Sequence, residues 1–309
     1  MTKIFIDGSA GTTGLRIAER LLSRKDIEII RLSEENRKDI NARKEAINQA
    51  DIVFLCLPDV ASIESVSLCE NPNTVIIDTS TAHRTNGDWA YGFPELSKEF
   101  EEKIKTSKRI ANPGCHASGF IALIYPLIEQ GILKEDALLS CVSLTGYSGG
   151  GKKMIAEYEA EGRDVLLDAP RQYGLNQNHK HLPEMTDITG IKNHPAFMPI
   201  VGDFYSGMEV TVPIFPEMLK KGNLEEIKAV YKEKYTGPVV NFVEDFSEEG
   251  FVSANKLGDK DSMEISVSGN DDRILLIARY DNLGKGASGA AVECMNIVLG
   301  CDVTTGLDI

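Results

Sequence analysis

The sequence predicts an α/β protein in two parts: a parallel-sheet domain of βαβ units, then an α+β domain with a mixed or antiparallel sheet. Three observations carry this. Over the first hundred or so residues, short apolar runs alternate with helix-like segments, the pattern of a parallel sheet with helical crossovers. A glycine-rich turn, Gly8-Ser9-Ala10-Gly11-Thr12-Thr13-Gly14, joins the first run to the first helix. Beyond Cys115 several runs alternate apolar with polar residues, as in Val210-Thr211-Val212 and Glu264-Ile265-Ser266-Val267, which is the signature of half-exposed strands.

In chain order, strands are expected at 3–7, 28–32, 51–57, 74–78 and 109–111, with helices at 13–24, 43–49, 60–68 and 97–105. The second part is expected to hold strands at 137–145, 204–215, 263–268 and 274–280 and helices at 224–234 and 287–299. No repeat or low-complexity linker interrupts the chain, so the second domain grows directly out of the helix that follows Cys115.

The length, 309 residues, suits two domains, and 42% hydrophobic with 26% charged residues is ordinary for a globular protein. A formal net charge of −14 argues against a nucleic-acid partner and against adhesion to an anionic membrane. Met1-Thr2-Lys3-Ile4-Phe5 enters a strand directly without a signal pattern, and no apolar run approaches a membrane span. The six cysteines lack CxxC spacing. Reduced thiols in the cytoplasm are therefore expected.

The segment Asn112-Pro113-Gly114-Cys115-His116-Ala117-Ser118-Gly119 sets a cysteine just after a Pro-Gly turn and ahead of the apolar run Phe120, Ile121, Leu123, Ile124, Leu127 and Ile128. A thiol at a helix N-terminus faces free N–H groups and the positive end of the helix dipole, which favour the nucleophilic thiolate. The alternative is a buried cysteine in an ordinary turn. The glycine-rich turn and a histidine cluster roughly 65 residues downstream favour the reactive reading.

Gly8, Gly11 and Gly14 form GxxGxxG, with Ser9, Thr12 and Thr13 between them. Such a turn brings backbone close to a pyrophosphate and offers it a helix N-terminus. After the second strand, Ser33 and Arg37 suit a 2′-phosphate and so NADP, while Glu34 or Glu35 suits the free ribose diol of NAD. Arg37 and Lys38 also fit a solvated loop. Leu55-Cys56-Leu57-Pro58-Asp59 reads as a strand ending at the cofactor, with Pro58 opening the next element.

Arg84, at the end of Asp78-Thr79-Ser80-Thr81-Ala82-His83-Arg84, is either a clamp for phosphate or carboxylate or a surface arginine. Gly146-Tyr147-Ser148-Gly149-Gly150-Gly151-Lys152-Lys153 suits an anion-binding loop or a hinge. His179-Lys180-His181-Leu182-Pro183-Glu184 lacks the partners of a metal site, so no metal is expected, and an acid/base histidine held by a carboxylate fits better. If Pro183 opens a helical turn, Glu184 folds back toward His181. That assigns proton transfer to His181 and a substrate or structural contact to His179.

Taken together, these motifs resemble the shorter type of N-acetyl-gamma-glutamyl-phosphate reductase, a family related to aspartate-semialdehyde dehydrogenase. The resemblance also takes in Tyr91-Gly92-Phe93-Pro94-Glu95-Leu96 and Asp281-Asn282-Leu283-Gly284-Lys285-Gly286-Ala287, and runs along nearly the whole chain. It implies a Rossmann dinucleotide-binding domain (1–115 and 284–309) and an α+β catalytic and oligomerisation domain (116–283), the last helix returning to the first domain. It implies NADPH, with Asn282, Gly284, Lys285 and Gly286 near its nicotinamide end, and a homodimer or homotetramer. Asn112, Ser148 and Lys152 join Arg84 and His179 as expected substrate contacts, with Lys152 and Lys180 standing where longer relatives often carry Arg.

The implied chemistry is reductive dephosphorylation of a small-molecule acyl phosphate, N-acetylglutamyl 5-phosphate, in arginine biosynthesis. Cys115 would attack the acyl carbon, N–H groups near it would hold the oxyanion, His181 oriented by Glu184 would move the proton, and Arg84 would hold phosphate. Two alternatives stand beside this: a reductase of aspartyl phosphate or a lysine-pathway analogue, and a dinucleotide-binding redox sensor without catalysis. The pairing of Cys115 with the His181 cluster argues against the sensor.

Overall fold

The computed structural model describes residues 1–309 and divides them into two units, Met1–Gly114 with Ala287–Leu307 and Cys115–Gly286 with Asp308–Ile309. The first unit runs β1 (Thr2–Asp7), α1 (Thr12–Leu21), β2 (Ile27–Ile30), α2 (Ile40–Gln49), β3 (Ile52–Leu55), α3 (Asp59–Leu68), β4 (Val75–Asp78), β5 (Ala90–Tyr91), α4 (Lys98–Thr106) and β6 (Arg109–Ala111). All its strands pair in parallel, in the order β2-β1-β3-β4-β6-β5. The period of two along each strand builds two cores. Ile4, Ile6, Phe54 and Ile77 face one side with Ile17 and Leu21 of α1, while Phe5, Val53, Leu55 and Ile76 face the other with Ala46 and Ile47 of α2.

The second unit runs α5 (Cys115–Glu129), β7 (Ser140–Gly146), α6 (Gly151–Tyr158), β8 (Arg171–Gln172), α7 (Leu182–Thr189), β9 (Ala196–Gly202), β10 (Met208–Ile214), α8 (Leu224–Lys234), β11 (Val240–Phe242), β12 (Met263–Asn270) and β13 (Arg273–Tyr280). Its sheet has the order β11-β12-β13-β10-β7-β9-β8. It is mixed. The expected antiparallel alternation holds for β12, β13, β10 and β7, but β7–β9 and β11–β12 pair in parallel. For β7–β9 the reason is the crossover through α6 and α7, which returns the chain in the same direction.

One face of this sheet is covered by α5 and α8, and α7 packs on α5. On the other face Val142, Leu144, Met198, Ile200 and Pro213 stay half-buried and Leu275 is exposed. After β13 a π-helical turn, Gly284–Ser288, opens the last helix, α9 (Gly289–Leu299). This corrects the regular helix expected from 287. α9 belongs to the first unit, where Ala291, Val292, Cys294, Met295 and Ile297 complete the Ile4 core.

Three local departures from expectation have physical causes. The strand expected from 204 starts at Met208, because the Phe204, Tyr205 and Gly207 carbonyls accept from Tyr147, Ser148 and Gly146 N–H instead. β9 was not expected because Pro199 interrupts its apolar run. The proline is tolerated because β8 pairs only with Ile200 and Val201. Pro126 within α5 removes the N–H that would reach the Ala122 carbonyl, and the Tyr235 hydroxyl donates to that oxygen in its place at 2.7 Å.

At the end of β1 the Asp7 carboxylate is 3% exposed, and its Oδ2 accepts from Arg43 Nε and Nη2, both at 3.1 Å, and from Ser65 Oγ at 2.9 Å. Removing one member of a buried ion pair strands the other. Arg43→Ala is therefore expected to destabilise the protein by about 3–5 kcal/mol in chemical denaturation. A loss below about 1 kcal/mol, the range of exposed pairs, would contradict it.

Candidate active site

In the first unit, β1 delivers the chain to Gly8 at φ +88°, a left-handed conformation that glycine adopts without strain. A Cβ there would also run into the Cys56 carbonyl. The Gly11 N–H closes the turn onto the Gly8 carbonyl at 2.9 Å, and Gly11 caps α1 with no side-chain hydrogen bond. The N–H groups at the start of this helix are thus left to an anion. Thr12, Thr13 and Gly14 form its first turn.

A cavity of about 580 Å³ opens beside this turn, lined by Gly8, Ser9 and Ala10, by Leu57, and by the charged residues Arg31, Glu34, Arg37, Lys38 and Arg43. Uncapped amides in a cavity whose lining includes several cations fit a phosphorylated dinucleotide. Of the residues expected at the ribose, Arg37 and Glu34 line the cavity and pair with each other at 2.9 Å. Ser33 accepts from the Asn36 N–H in its own turn and is not among the lining residues. Pro58 caps α3 just past the end of β3.

Beyond β4 the Asp78 carboxylate gathers Ser62 Oγ, Ser80 N and Oγ, and His83 Nδ1 within 2.6–2.9 Å, and His83 stacks on Trp89. The next residue, Arg84, is buried. Its Nε donates to the Asn112 carbonyl and Nη2 to the Thr79 carbonyl, both at 2.9 Å. Asn112 in turn donates from Nδ2 to the Ala287 carbonyl at 3.0 Å. Both side chains therefore brace main chain ahead of the Pro-Gly turn.

In the second unit Cys115 is the first residue of α5. Its turn is not a plain helical one. The Tyr280 hydroxyl enters between residues 115 and 119, accepting from Gly119 N–H at 3.0 Å and donating to the Cys115 carbonyl at 2.6 Å. A Cβ on residue 119 would sit 2.7 Å from that hydroxyl, so the position needs glycine. Gly286 lies against the Cys115 Cβ. Burial, with the Cys115 charge adding to it, pushes the Tyr280 phenol well up, so it stays protonated.

Three imidazoles lie together after the cysteine. The His179 and His181 rings are 4.8 Å apart, and both lie within 6 Å of His116. His116 bonds Ser143 Oγ through Nδ1 at 2.6 Å and the Tyr173 hydroxyl through Nε2 at 2.7 Å. Burial, and secondarily the charge of His179, pushes His116 down to about 3. His179 is lowered by burial and by Lys180. His181 is 4% exposed and caps α7, with Pro183 and the buried Glu184 in the first turn. The helical turn expected at Pro183 is present.

The motif after β7 is neither a free hinge nor an open loop. Ser148 is buried and accepts from Asn282 Nδ2 at 2.9 Å, and Asn282 Oδ1 accepts from Gly207 N–H at 3.0 Å. Asn282 thus ties three turns together. Asp281 accepts from Leu283 and Gly284 N–H, and Lys285 is 1% exposed. Lys152 is exposed in the first turn of α6. Sequence reasoning missed His116, Ser143, Tyr173 and Tyr280. For His116 its place next to Cys115 was the available signal; the others converge only through the sheet.

Tyr280→Phe removes the hydroxyl from the first turn of α5. It is expected to lower the rate of Cys115 alkylation by iodoacetamide about tenfold or more while the far-ultraviolet dichroism is kept; an unchanged rate would show Cys115 indifferent to Tyr280. A second expectation concerns acid. A buried imidazole lowered from 6.5 to about 3 stays neutral in the native state while the unfolded chain takes up its proton. Its contribution is present above about pH 6.5 and is lost as pH falls toward 3. His116→Gln should therefore flatten the fall in urea stability between pH 6.5 and 4 by up to one proton's slope. Parallel curves for the two proteins would contradict it.

The semialdehyde dehydrogenase NAD binding domain profile matches residues 3–106, and the semialdehyde dehydrogenase dimerisation domain profile matches residues 115–282. The chain is 46% identical over 306 residues to the N-acetyl-gamma-glutamyl-phosphate reductase of Brucella ovis, covering 96% of this chain and 99% of that one. It is 44% identical over 308 residues to that of Chelativorans, covering 96% and 98%. Among solved structures, aspartate semialdehyde dehydrogenase II of Vibrio cholerae complexed with ASA superposes with a TM-score of 0.72 at 15% identity, covering 97% of this chain and 98% of that one. The Francisella tularensis aspartate semialdehyde dehydrogenase gives 0.73 at 15% identity, covering 97% and 100%. These structures share the fold. No helix of the chain is long and apolar enough to cross a membrane. With both profiles matched and its relatives aligned almost end to end, the chain belongs to the N-acetyl-gamma-glutamyl-phosphate reductase family of semialdehyde dehydrogenases.

Proposed function

We propose that this protein reduces N-acetyl-L-glutamyl 5-phosphate to N-acetyl-L-glutamate 5-semialdehyde and phosphate, using NADPH, as a step of arginine biosynthesis. The observation that carries the chemistry is a cysteine opening a helix whose first turn is held by Tyr280, with His179 and His181 packed together in the same unit. The substrate follows the family to which the chain belongs.

The Cys115 thiolate attacks the acyl carbon and the carbon–oxygen bond to phosphate breaks, leaving a thioester and inorganic phosphate. N–H groups of the first turn of α5 hold the oxyanion of the tetrahedral intermediate. A dinucleotide, when bound, would supply the hydride that reduces the thioester carbon. His181 moves the proton of the resulting thiohemiacetal hydroxyl as the carbon–sulfur bond breaks, returning the thiolate and releasing the aldehyde. Glu184, buried three residues on in the first turn of α7, orients His181. His179, held neutral by burial and by Lys180, contacts substrate, and Lys152 with Ser148 offers the anion its remaining donors.

Arg84 serves less as a phosphate clamp than as a brace of the turn at Asn112, since two of its nitrogens are spent on carbonyls. Gly8, Ser9, Gly11, Thr12, Thr13, Gly14 and Pro58 would hold the dinucleotide, Arg37 its 2′-phosphate, and Gly284, Lys285 and Gly286 its nicotinamide end. The half-buried open face of the second sheet is the surface on which a second copy would pair, giving a dimer or a dimer of dimers. Six thiols without a disulfide suit a reducing cytoplasm.

The deciding assay is NADPH formation from N-acetylglutamate semialdehyde, phosphate and NADP, run beside aspartate semialdehyde. Turnover of the second substrate alone would overturn the assignment. Cys115→Ser should abolish the reaction while leaving NADPH binding unchanged, and His181→Asn should lower kcat about 10²–10⁴-fold. His179→Asn should act mainly through KM; a kcat loss confined to His179 would exchange the two roles. NADPH should exceed NADH in kcat/KM, because three of the four charged residues at positions 31–38 that line the cavity are cationic. Equal values would place Glu34 on the ribose diol.

A further inference from the structure

The open face of the second sheet carries one charge that its own chain leaves without a cation. The strand register sets a row of residues across that face: Glu264 on β12, Arg279 on β13, Glu209 on β10, Leu144 on β7 and Ile200 on β9. In the adjacent row stand Ser266, Ile277, Thr211, Val142 and Met198. The chain between β11 and β12 covers one end of these rows. Phe246 lies over the Arg279 guanidinium at 4.5 Å, and the Glu244 carbonyl accepts from Ser266 Oγ at 3.4 Å. The other end is left open, and there Glu209 is half-buried among Val142, Leu144, Met198, Ile200 and Pro213.

Arg279 stands directly opposite Glu209 but turns its donors the other way. Nε and Nη2 reach Glu264 at 3.2 and 2.8 Å, Nη1 reaches Glu248 at 2.6 Å, and Nη2 also reaches the Phe246 carbonyl at 3.1 Å. Glu248 is held in addition by Lys256 at 2.8 Å. The Glu209 carboxylate accepts from the Thr211 hydroxyl alone. β7, β9 and β10 carry no Lys, Arg or His. Their other titratable group is the Cys141 thiol, which burial and the charge of Glu209 push up. Burial pushes the Glu209 carboxyl up as well, against the Thr211 hydrogen bond.

The face lies within residues 115–282, the stretch that matches the dimerisation domain profile, so its occupant is a second copy of this chain. Closed pairs of identical chains use the same patch on both copies. Each copy therefore brings the same apolar side chains and another Glu209, with its Arg279 already spent. Covering the face takes both carboxylates out of water and supplies neither with a cation, which is costly for a charge. We propose that two copies pair through this face with Glu209 protonated, each chain taking up a proton as it pairs, so that the pair tightens as pH falls. The proposal rests on this face being the pairing surface and adds what governs the pairing. An acid costlier to ionise in the pair than in the single chain holds its proton more firmly there. The pairing constant then rises as pH falls through the carboxyl's range, and levels off once the single chain is protonated too.

The test is sedimentation velocity of the full-length protein over a dilution series at fixed ionic strength, from about pH 8 to about pH 5. One pH unit in a carboxyl's ionisation is tenfold in the constant for each copy. The wild-type pair is expected to tighten about tenfold or more over this range. None of the five histidines lies on a strand of this sheet, so the trend is not theirs. Glu209→Gln, uncharged throughout, should pair at pH 8 as tightly as wild type does at pH 5, and should lose the trend. Leu144→Ala supplies a weakened pair on which the same comparison is made if the native one is too tight to dilute apart. A wild-type constant indifferent to pH overturns the proposal, as does weaker pairing by Glu209→Gln, which would mean that the carboxylate accepts from a donor of the second copy. Leu144→Asp, in the same row, should give single chains. If it leaves the pair intact, the pairing surface itself is misassigned and the proposal falls with it.

Discussion

A single hydroxyl, that of Tyr280, sets the backbone on which the proposed chemistry depends. It takes the place of the Gly119-to-Cys115 hydrogen bond in the first turn of α5, accepting from one group and donating to the other. An inserted side chain opens a helical turn locally. Around this insertion several otherwise separate features become necessary. Residue 119 has no room for a side chain, β13 must end with a tyrosine, and the residues after it must be held in place. Asp281 does this through Leu283 and Gly284 N–H, and Asn282 through Ser148 and Gly207. The Gly-rich motif after β7 and the motif that follows β13 are therefore parts of one scaffold around Cys115.

The histidines follow a related logic. Packing three imidazoles within 6 Å of one another makes simultaneous protonation costly, and burial decides which give up the charge first. His116 and His179 are both lowered. The proposed chemistry at sulfur gains from neutral donors beside it, because they do not trap the thiolate as a tight ion pair. The phosphate-rich cofactor faces a different problem, a chain of net charge −14. The lining of the first unit's cavity includes Arg31, Arg37, Lys38 and Arg43, which would offset that charge locally, while Arg43 also pairs with Asp7 behind the glycine turn.

What the sequence discloses is what has a period or a spacing. β1 to β4 and their helices were legible because apolar runs alternate with amphipathic segments, and Leu224–Lys234 because its Asn223 cap and 3.6-residue stripe are local. Cys115 could be placed at a helix N-terminus from the Pro-Gly turn before it and the apolar run after it. β9 was hidden by Pro199, whose tolerance depends on how short β8 is. Ser143, Tyr173 and Tyr280 were hidden for a deeper reason: they reach His116 and Cys115 only after β7, β8 and β13 take their places, and nothing in their own segments marks them. Residue type and position beyond a strand left Arg84 open as a clamp or a surface arginine, whereas its burial and its bonds to the Thr79 and Asn112 carbonyls depend on distant main chain.

The central claim is that Cys115 carries the acyl group covalently. Running the reaction from the aldehyde side isolates that step. With N-acetylglutamate semialdehyde and NADP but no phosphate, the thiolate adds to the aldehyde, hydride leaves to NADP, and the thioester has no acceptor. The account predicts a burst of NADPH of about one equivalent per active site, an acyl group on the Cys115 peptide after acid quench, and its release when phosphate is added. A burst with no adduct on Cys115, or with the acyl group on another of the six cysteines, would contradict it.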